Sequence, residues 1–258
     1  MEHRFGASDH ADSAGQPWAG RTFHENPAAG DDGSADPRIV EAIGAFRAGT
    51  SGPEAVVRAV GQVRLLVPLV AEAGEVGFTP EGRKVDKTQE LSLVTLAGPD
   101  GRTVLPAFTS VASMAVWDPK ARPIPVAGTR VALAAISDGC GAVVIDPVSE
   151  TEFAVRRPAL EAIVQGKDWV PCWVDEMVAE SFAQSFADEP EVSVLDLLPG
   201  DPDGRLRGPE LVVRLGVVPG LDRQRLEALV GRLSSRWQES PQIATSVDSL
   251  AVRIVPAT

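Results

Sequence analysis

Histidine is absent beyond residue 24, and tyrosine is absent altogether. The three imidazoles are His3, His10 and His24. The remaining chain therefore has no Ser-His-Asp or Cys-His nucleophile pair, and it lacks the commonest neutral general base near pH 7. Cysteine is almost as scarce, with only Cys140 and Cys172. Two thiols build no disulfide framework, and joined only by carboxylates they match no usual zinc ligand set. Positive charge is short as well: 24 Lys and Arg stand against 36 Asp and Glu, a net charge of -12, and lysine occurs only at 84, 87, 120 and 167. A body this acidic repels phosphate backbones and anionic lipid, which excludes nucleic acid and membrane surfaces as default partners. No apolar run approaches the ~20 residues of a membrane span. The opening MEHRFGASDH has no apolar signal-peptide core, so cytoplasm is the expected location.

Cofactor signatures are missing too. Gly166-Lys167 is followed by Asp168, not by Ser or Thr, and Gly139-Cys140-Gly141 precedes a β-like run where a dinucleotide fingerprint would follow one. Asp201-Pro202-Asp203-Gly204 lacks the third acidic ligand and the closing Glu of a calcium loop, and reads as a hairpin turn. The expectation is no metal, no cofactor and no catalytic set.

What is present is a globular composition, 258 residues with 44% hydrophobic side chains. Residues 1–36 are the exception, a Gly, Ala, Ser and Asp-rich stretch with seven acidic and two basic side chains. It buries too little apolar surface to order itself and reads as a flexible acidic tail. Trp18, Arg21 and Phe23 give it an aromatic–Arg–aromatic cluster. That cluster makes 18–37 a candidate docking peptide, the alternative being a plain solvated tail.

Order begins at Asp36-Pro37, a helix cap followed by a residue suited to the first helical turn. Ile39, Val40, Ile43 and Phe46 follow at helical spacing, and a second helix starts near Pro53. The run 63–70 is β-like, and its Pro68 predicts an edge strand or a bulge; 71–89 reads as a loop. Residues 91–110 spell a hairpin around Gly98-Pro99-Asp100-Gly101. Ser110 caps a helix that must end at Asp118-Pro119. An extended Pro-rich strip over 118–128 precedes a helix from about 129 to 138, strands at 142–146 and 151–155, and a helix from Pro158 to Gly166. The remainder predicts a linking helix over 170–186, strands at 192–198 and 210–218 joined by the turn Gly200–Gly208, an amphipathic helix at 222–237 and a closing strand at 249–255. The fold class is α+β, with mixed sheets flanked by helices. Two packed units, 37–168 and 169–258, follow the tail, because a β-β-α-β unit needs a neighbour to cover its sheet.

The hairpin 91–110, Trp117-Asp118-Pro119, Ala121–Val126, the strand Ala142–Asp146 and Arg157-Pro158-Ala159-Leu160-Glu161 occur in this order. Together they resemble the SseB (enhanced serine sensitivity protein B) family, especially its actinobacterial branch. The resemblance covers residues 38–168 and extends weakly to the C-terminal unit. It implies a link to serine sensitivity and to a rhodanese-like sulfurtransferase as protein partner, and it carries over no catalytic residue.

The candidate partner-binding residues are Trp117, Asp118, Arg122, Arg130 and Arg157. A Pro-stiffened strip beside an aromatic offers backbone groups and a guanidinium to a peptide or carboxylate. The alternative is local: Trp117 covers a helix end, Asp118 bonds nearby amides and Arg122 pairs with a carboxylate. Cys140 and Cys172 are candidate redox or sulfur-acceptor thiols, the alternative being ordinary packing. The function expected is a non-enzymatic protein-interaction or regulatory module. A cysteine-based sulfur acceptor and a small-molecule (amino acid) sensor are the alternatives.

Overall fold

A computed structural model describes residues 30–69, 76–78, 84–86 and 94–257. Trp18, Arg21, Phe23 and the three histidines lie outside the described residues, as do residues 91–93 of the expected hairpin. Gly33–Thr258 forms one compact unit.

The chain enters this unit at Gly33, whose carbonyl accepts from Val111 N–H at 2.9 Å. The Asp36 carboxylate then caps helix α1 (Pro37–Arg47) by accepting from Arg38 N–H at 2.9 Å, and the Arg38 guanidinium beside it holds the carboxyl down at about 2. Helix α1 and helix α2 (Pro53–Gln62) each carry Pro in the first turn and bury one stripe, Ile39 and Ile43 on the first, Val56, Val57, Ala59 and Val60 on the second. Strand β1 (Arg64–Leu69) follows. The stretch expected as loop contains a short antiparallel ladder, β2 (Val76–Phe78) with β3 (Lys84–Asp86).

The expected hairpin is present as β4 (Leu96–Ala97) and β5 (Thr103–Ala107), turning through Gly101 at φ 79. Ser110 and Ser113 form a reciprocal capping box at helix α3 (Val111–Trp117). Strand β6 (Arg122–Ala127) is the Pro-rich strip, paired antiparallel with β1. Helix α4 (Gly128–Ser137) starts at the one residue that fits there, since a Cβ on Gly128 would stand 1.8 Å from the Val60 carbonyl oxygen. Strands β7 (Ala142–Ile145) and β8 (Phe153–Arg156) and helix α5 (Arg157–Gln165) complete this part, with Gly166 closing α5 at φ 64. The sheet order is β4-β5-β7-β8, with β5 and β7 parallel and the other pairs antiparallel. A bridge from Leu66 to Phe108 ties β1 to the end of β5. Helices α1, α2, α4 and α5 cover one face of the sheet with a continuous apolar core.

Pro68 causes no bulge, because the β1–β6 register is unbroken. Leu66 gives both its N–H and C=O to Phe108, so alternation leaves Leu65, Val67 and Leu69 to bond β6. Pro68 faces away from β6, where its missing N–H costs nothing to that ladder.

The C-terminal part begins with a turn over 172–174 and helix α6 (Glu176–Ser185). The expected linking helix is shorter than 170–186, since the Asp175 carboxylate accepts from Met177 N–H at 2.8 Å and fixes the helix start there. Strands β9 (Val192–Pro199) and β10 (Leu211–Val217) pair antiparallel. After helix α7 (Arg223–Glu239) comes a short helix α8 (Pro241–Ser246) that the sequence reading did not anticipate. Strand β11 (Leu250–Pro256) then joins β10 in parallel. Helices α6, α7 and α8 cover one face of this sheet through Val178, Phe182, Leu229, Leu233, Trp237 and Ile243.

Candidate functional site

Where the two sheets meet, charge is taken out of water. Arg156, the last residue of β8, is 7% exposed, and the partners of its guanidinium among the described residues all come from the C-terminal part. Its Nη2 donates to Asp201 Oδ2 at 2.7 Å and to the Gly208 carbonyl at 2.8 Å. Its Nη1 donates to Asp248 Oδ2 at 3.1 Å and Ser249 Oγ at 3.3 Å. Asp201 also accepts the backbone N–H groups of Arg205, Leu206 and Arg207, which folds the loop between β9 and β10 around its carboxylate. Asp248 Oδ1 takes Arg102 Nη1 at 2.8 Å, and Arg102 holds Asp100 at 2.7 Å. Two guanidiniums thus face three carboxylates, a local excess of one negative charge.

Glu210 adds a fourth carboxyl. It is 3% exposed. Its Oε2 accepts from Asp248 N–H at 2.6 Å, while its Oε1 has no N–H or O–H donor among the described residues, and only the weakly donating Cys172 thiol stands beside the carboxyl. Burial pushes its pKa up to about 7, and the Asp248 charge pushes the same way. The Asp248 N–H, Arg156 and the Cys172 thiol pull in the opposite direction. An orphaned oxygen at this depth costs roughly 1–3 kcal/mol, so it calls for an explanation.

Arg156, Asp201 and Glu210 line a pocket of about 220 Å³ whose walls include Phe46, Phe153, Trp169 and Trp173. Phe46 and Phe153 meet edge to face, with centroids 5.2 Å apart. Few polar groups on an otherwise apolar, partly aromatic wall is the usual make-up of a small-molecule site. Arg47 closes the neighbouring edge by donating to the Asp203 and Glu152 carbonyls. Asp146 offers a useful contrast. It too is buried, at the end of β7, yet its Oδ1 accepts Thr109 N–H and its Oδ2 accepts the Thr109 and Thr151 hydroxyls. Both oxygens are used, and that carboxylate pins loops. Among the described residues no group of His, Cys, Asp and Glu could hold a metal ion, and no helix is long and apolar enough to cross a membrane.

The sequence model of the SseB protein N-terminal domain matches residues 39–162. The chain belongs to the SseB family. No curated protein and no solved structure matches it. In this SseB protein the pocket straddles the end of the matched region. Phe46, Phe153 and Arg156 lie inside it, whereas Trp169, Trp173, Asp201 and Glu210 lie beyond it.

The residues singled out from the sequence are elsewhere in the SseB fold. Trp117 is half-buried, packing on Phe108 at 5.3 Å in a small cluster with Leu66 and Met114. Asp118 Oδ1 accepts from Lys120 N–H at 2.8 Å. Arg122 and Arg130 are exposed at the starts of β6 and α4. Arg157 pairs with Glu161 at 3.0 Å along α5. None of the five lines the pocket. The strip around Arg122 also has an unusual edge. Because Arg122, Ile124 and Val126 bond β1, the backbones of Pro123 and Pro125 face outward and present carbonyls with no N–H.

Both thiols are buried. Cys140 sits in the main core, and burial, with Asp138 nearby, raises its pKa. Cys172 is raised by burial and by the Glu210 carboxyl next to it. Neither has the lowered pKa and access of a reactive cysteine. Sequence reasoning missed Arg156, Glu210 and Asp248. It met Asp201 only as part of a turn, and the signal available there was a buried-type Leu206 inside a polar loop.

Proposed function

We propose that this SseB protein is a regulatory module that binds a small molecule in the pocket lined by Trp173 and Glu210. The observation that carries this reading is the Glu210 Oε1, buried and without an N–H or O–H donor among the described residues, on a residue that lines a mainly apolar pocket. A structural carboxylate has its oxygens occupied, as Asp146 does. An oxygen without a donor fits a site whose donor arrives with a ligand. The pocket is built from both parts of the compact unit, so occupancy strengthens the seam between them and can be passed to a protein partner as a change in seam stability.

A partner-docking role for the 117–126 strip has its own support in the exposed Arg122, Ile124 and Pro123. The proline-capped edge disfavours strand addition, so such a partner would bind through side chains, with Arg122 taking a carboxylate. Two free buried thiols suit a reducing compartment, which supports a cytoplasmic protein.

The test is a thermal-shift and tryptophan-fluorescence screen of the full chain against amino acids and metabolites. A ligand at a hundred times its Kd stabilises by about 2.7 kcal/mol. It should also perturb Trp169 and Trp173 emission, and Trp173→Ala should abolish the binding. A panel that shifts neither signal would sink the reading.

A further inference from the structure

Resting on that pocket reading, the geometry points to the class of ligand: a small primary amine whose ammonium bonds Glu210 and whose apolar body packs against the aromatic wall. Three features of the pocket select an amine over an acid or a neutral molecule.

The first is which polar group in the lining has capacity left; Arg47 Nε also has no hydrogen-bond partner among the described residues, but Arg47 lies outside the lining. Arg156 is committed to Asp201, Asp248, Ser249 and the Gly208 carbonyl. A ligand carboxylate would have to break a buried ion pair to reach it. Glu210 has the opposite character, with one oxygen held by Asp248 N–H and the other without a donor. An ammonium brings three donors and no acceptor.

The second is local charge. Arg102 and Arg156 face Asp100, Asp201 and Asp248 before Glu210 is counted. An anion would add to the excess and a cation removes it. Trp169 and Trp173 on the wall add aromatic surface that attracts an organic cation, as the Phe46 ring already does for the Arg47 guanidinium 5.4 Å from its centroid.

The third is size. A dry cavity of about 150 Å³ holds benzene, so the 220 Å³ here takes a ring-sized body with a short arm, about nine non-hydrogen atoms on the same scale.

Binding is then linked to protons. Glu210 faces Asp248 and Ser249 ahead of β11, Arg156 on β8, Asp201 in the loop after β9 and the Cys172 thiol ahead of α6. In this setting burial holds its pKa up at about 7, so the carboxyl is largely protonated below that pH. An ammonium selects the carboxylate, expels the proton and loses affinity as the solution is acidified.

The experiment is calorimetry on the full chain with four probes of one shape: 2-phenylethylamine, 2-phenylethanol, phenylacetate and ethylbenzene, each at pH 8 and pH 6. The amine stays protonated at both. The expected result is amine binding at pH 8 at least ~10-fold tighter than the alcohol, since a desolvated charge-assisted hydrogen bond is stronger than a neutral one. Phenylacetate should not bind, and the amine should weaken by up to ~10-fold at pH 6. Glu210→Gln, which keeps an oxygen for Asp248 N–H, should remove the amine's advantage and its pH dependence. The wild-type pH dependence stands as a test even if that variant folds poorly. Alcohol, acid or hydrocarbon binding as tightly as the amine overturns the amine assignment and leaves the pocket reading intact. Silence from all four, ethylbenzene included, overturns the pocket reading with it.

Discussion

The two main sheets differ in how they are covered. In the SseB-domain sheet, β7 and β8 are buried at every residue, so both faces are shielded. In the C-terminal sheet, β9 and β11 are largely exposed, and the row Asp196, Arg214 and Arg253 runs across a face that none of the described helices covers. The second face of the SseB-domain sheet carries Val104, Ala142, Val144 and Ala154, and the residue that covers them is Leu206, from the loop between β9 and β10. That loop also adds to the sheet edge, with the Gly204 carbonyl accepting from Ala154 N–H at 2.7 Å. The comparison teaches that the family domain borrows part of its core from the chain beyond it, whereas the C-terminal sheet brings its own helices and leaves a face over.

Leu206 shows how tightly that loan is held. Its φ is 56, a left-handed conformation that costs a non-glycine residue about 1–2 kcal/mol. The Asp201 carboxylate, accepting from Leu206 N–H at 2.8 Å, and the apolar hole on the sheet offset that cost.

The severest way to break the comparison is Arg156→Met. It strands Asp201 and Asp248 at the seam, and urea unfolding should show a loss of about 3–5 kcal/mol, the range for removing one partner of a buried pair. Leu206→Ala should come next, at about 3 kcal/mol for an imperfectly filled cavity. Leu206→Gly should cost about 1 kcal/mol less than it otherwise would, because glycine accepts the left-handed backbone.

Glu210 gives a seam effect that depends on pH. Its folded pKa, about 7, lies above the 4.5 of the free group. Between these values the folded chain binds more protons than the unfolded one, so stability falls as pH rises through that window and is level above it. The loss approaches ~3 kcal/mol. Glu210→Gln should flatten this slope in denaturation curves taken from pH 4.5 to 8. Asp36 and Glu189, whose pKa values are lowered by Arg38 and Arg232, act in the opposite sense and lose their contribution only in stronger acid. The smallest effect belongs to the open face. Val194→Thr, at a residue 47% exposed, should stay within ~0.5 kcal/mol by the same measurement. A large loss there would show that the face is covered after all.

Much of the local architecture is legible in the residues. Asp36-Pro37 starts α1, Ser110 caps α3, Gly98–Gly101 turns the hairpin and Gly166 ends α5. In each case the deciding hydrogen bond or backbone angle involves residues within a few positions of one another. The β2–β3 ladder, α8 and the turn at 172–174 carry weaker local signals and were not anticipated. The candidate site was the least legible part. Arg156 meets Asp201 across 45 positions and Asp248 across 92, and nothing in the spelling of a strand-ending arginine distinguishes it from a solvated one.

By itself, the amino-acid sequence determined the element types, the α+β class, the family resemblance and the absence of imidazole beyond residue 24, because caps, turns and apolar periodicity act over short range. Only the tertiary structure decided that Leu206 closes the SseB-domain sheet, that Trp117 is packing and that one oxygen of the Glu210 carboxyl is left over. Burial is the physical reason: desolvation depends on what the rest of the chain places around a group, and that is set by contacts between distant segments.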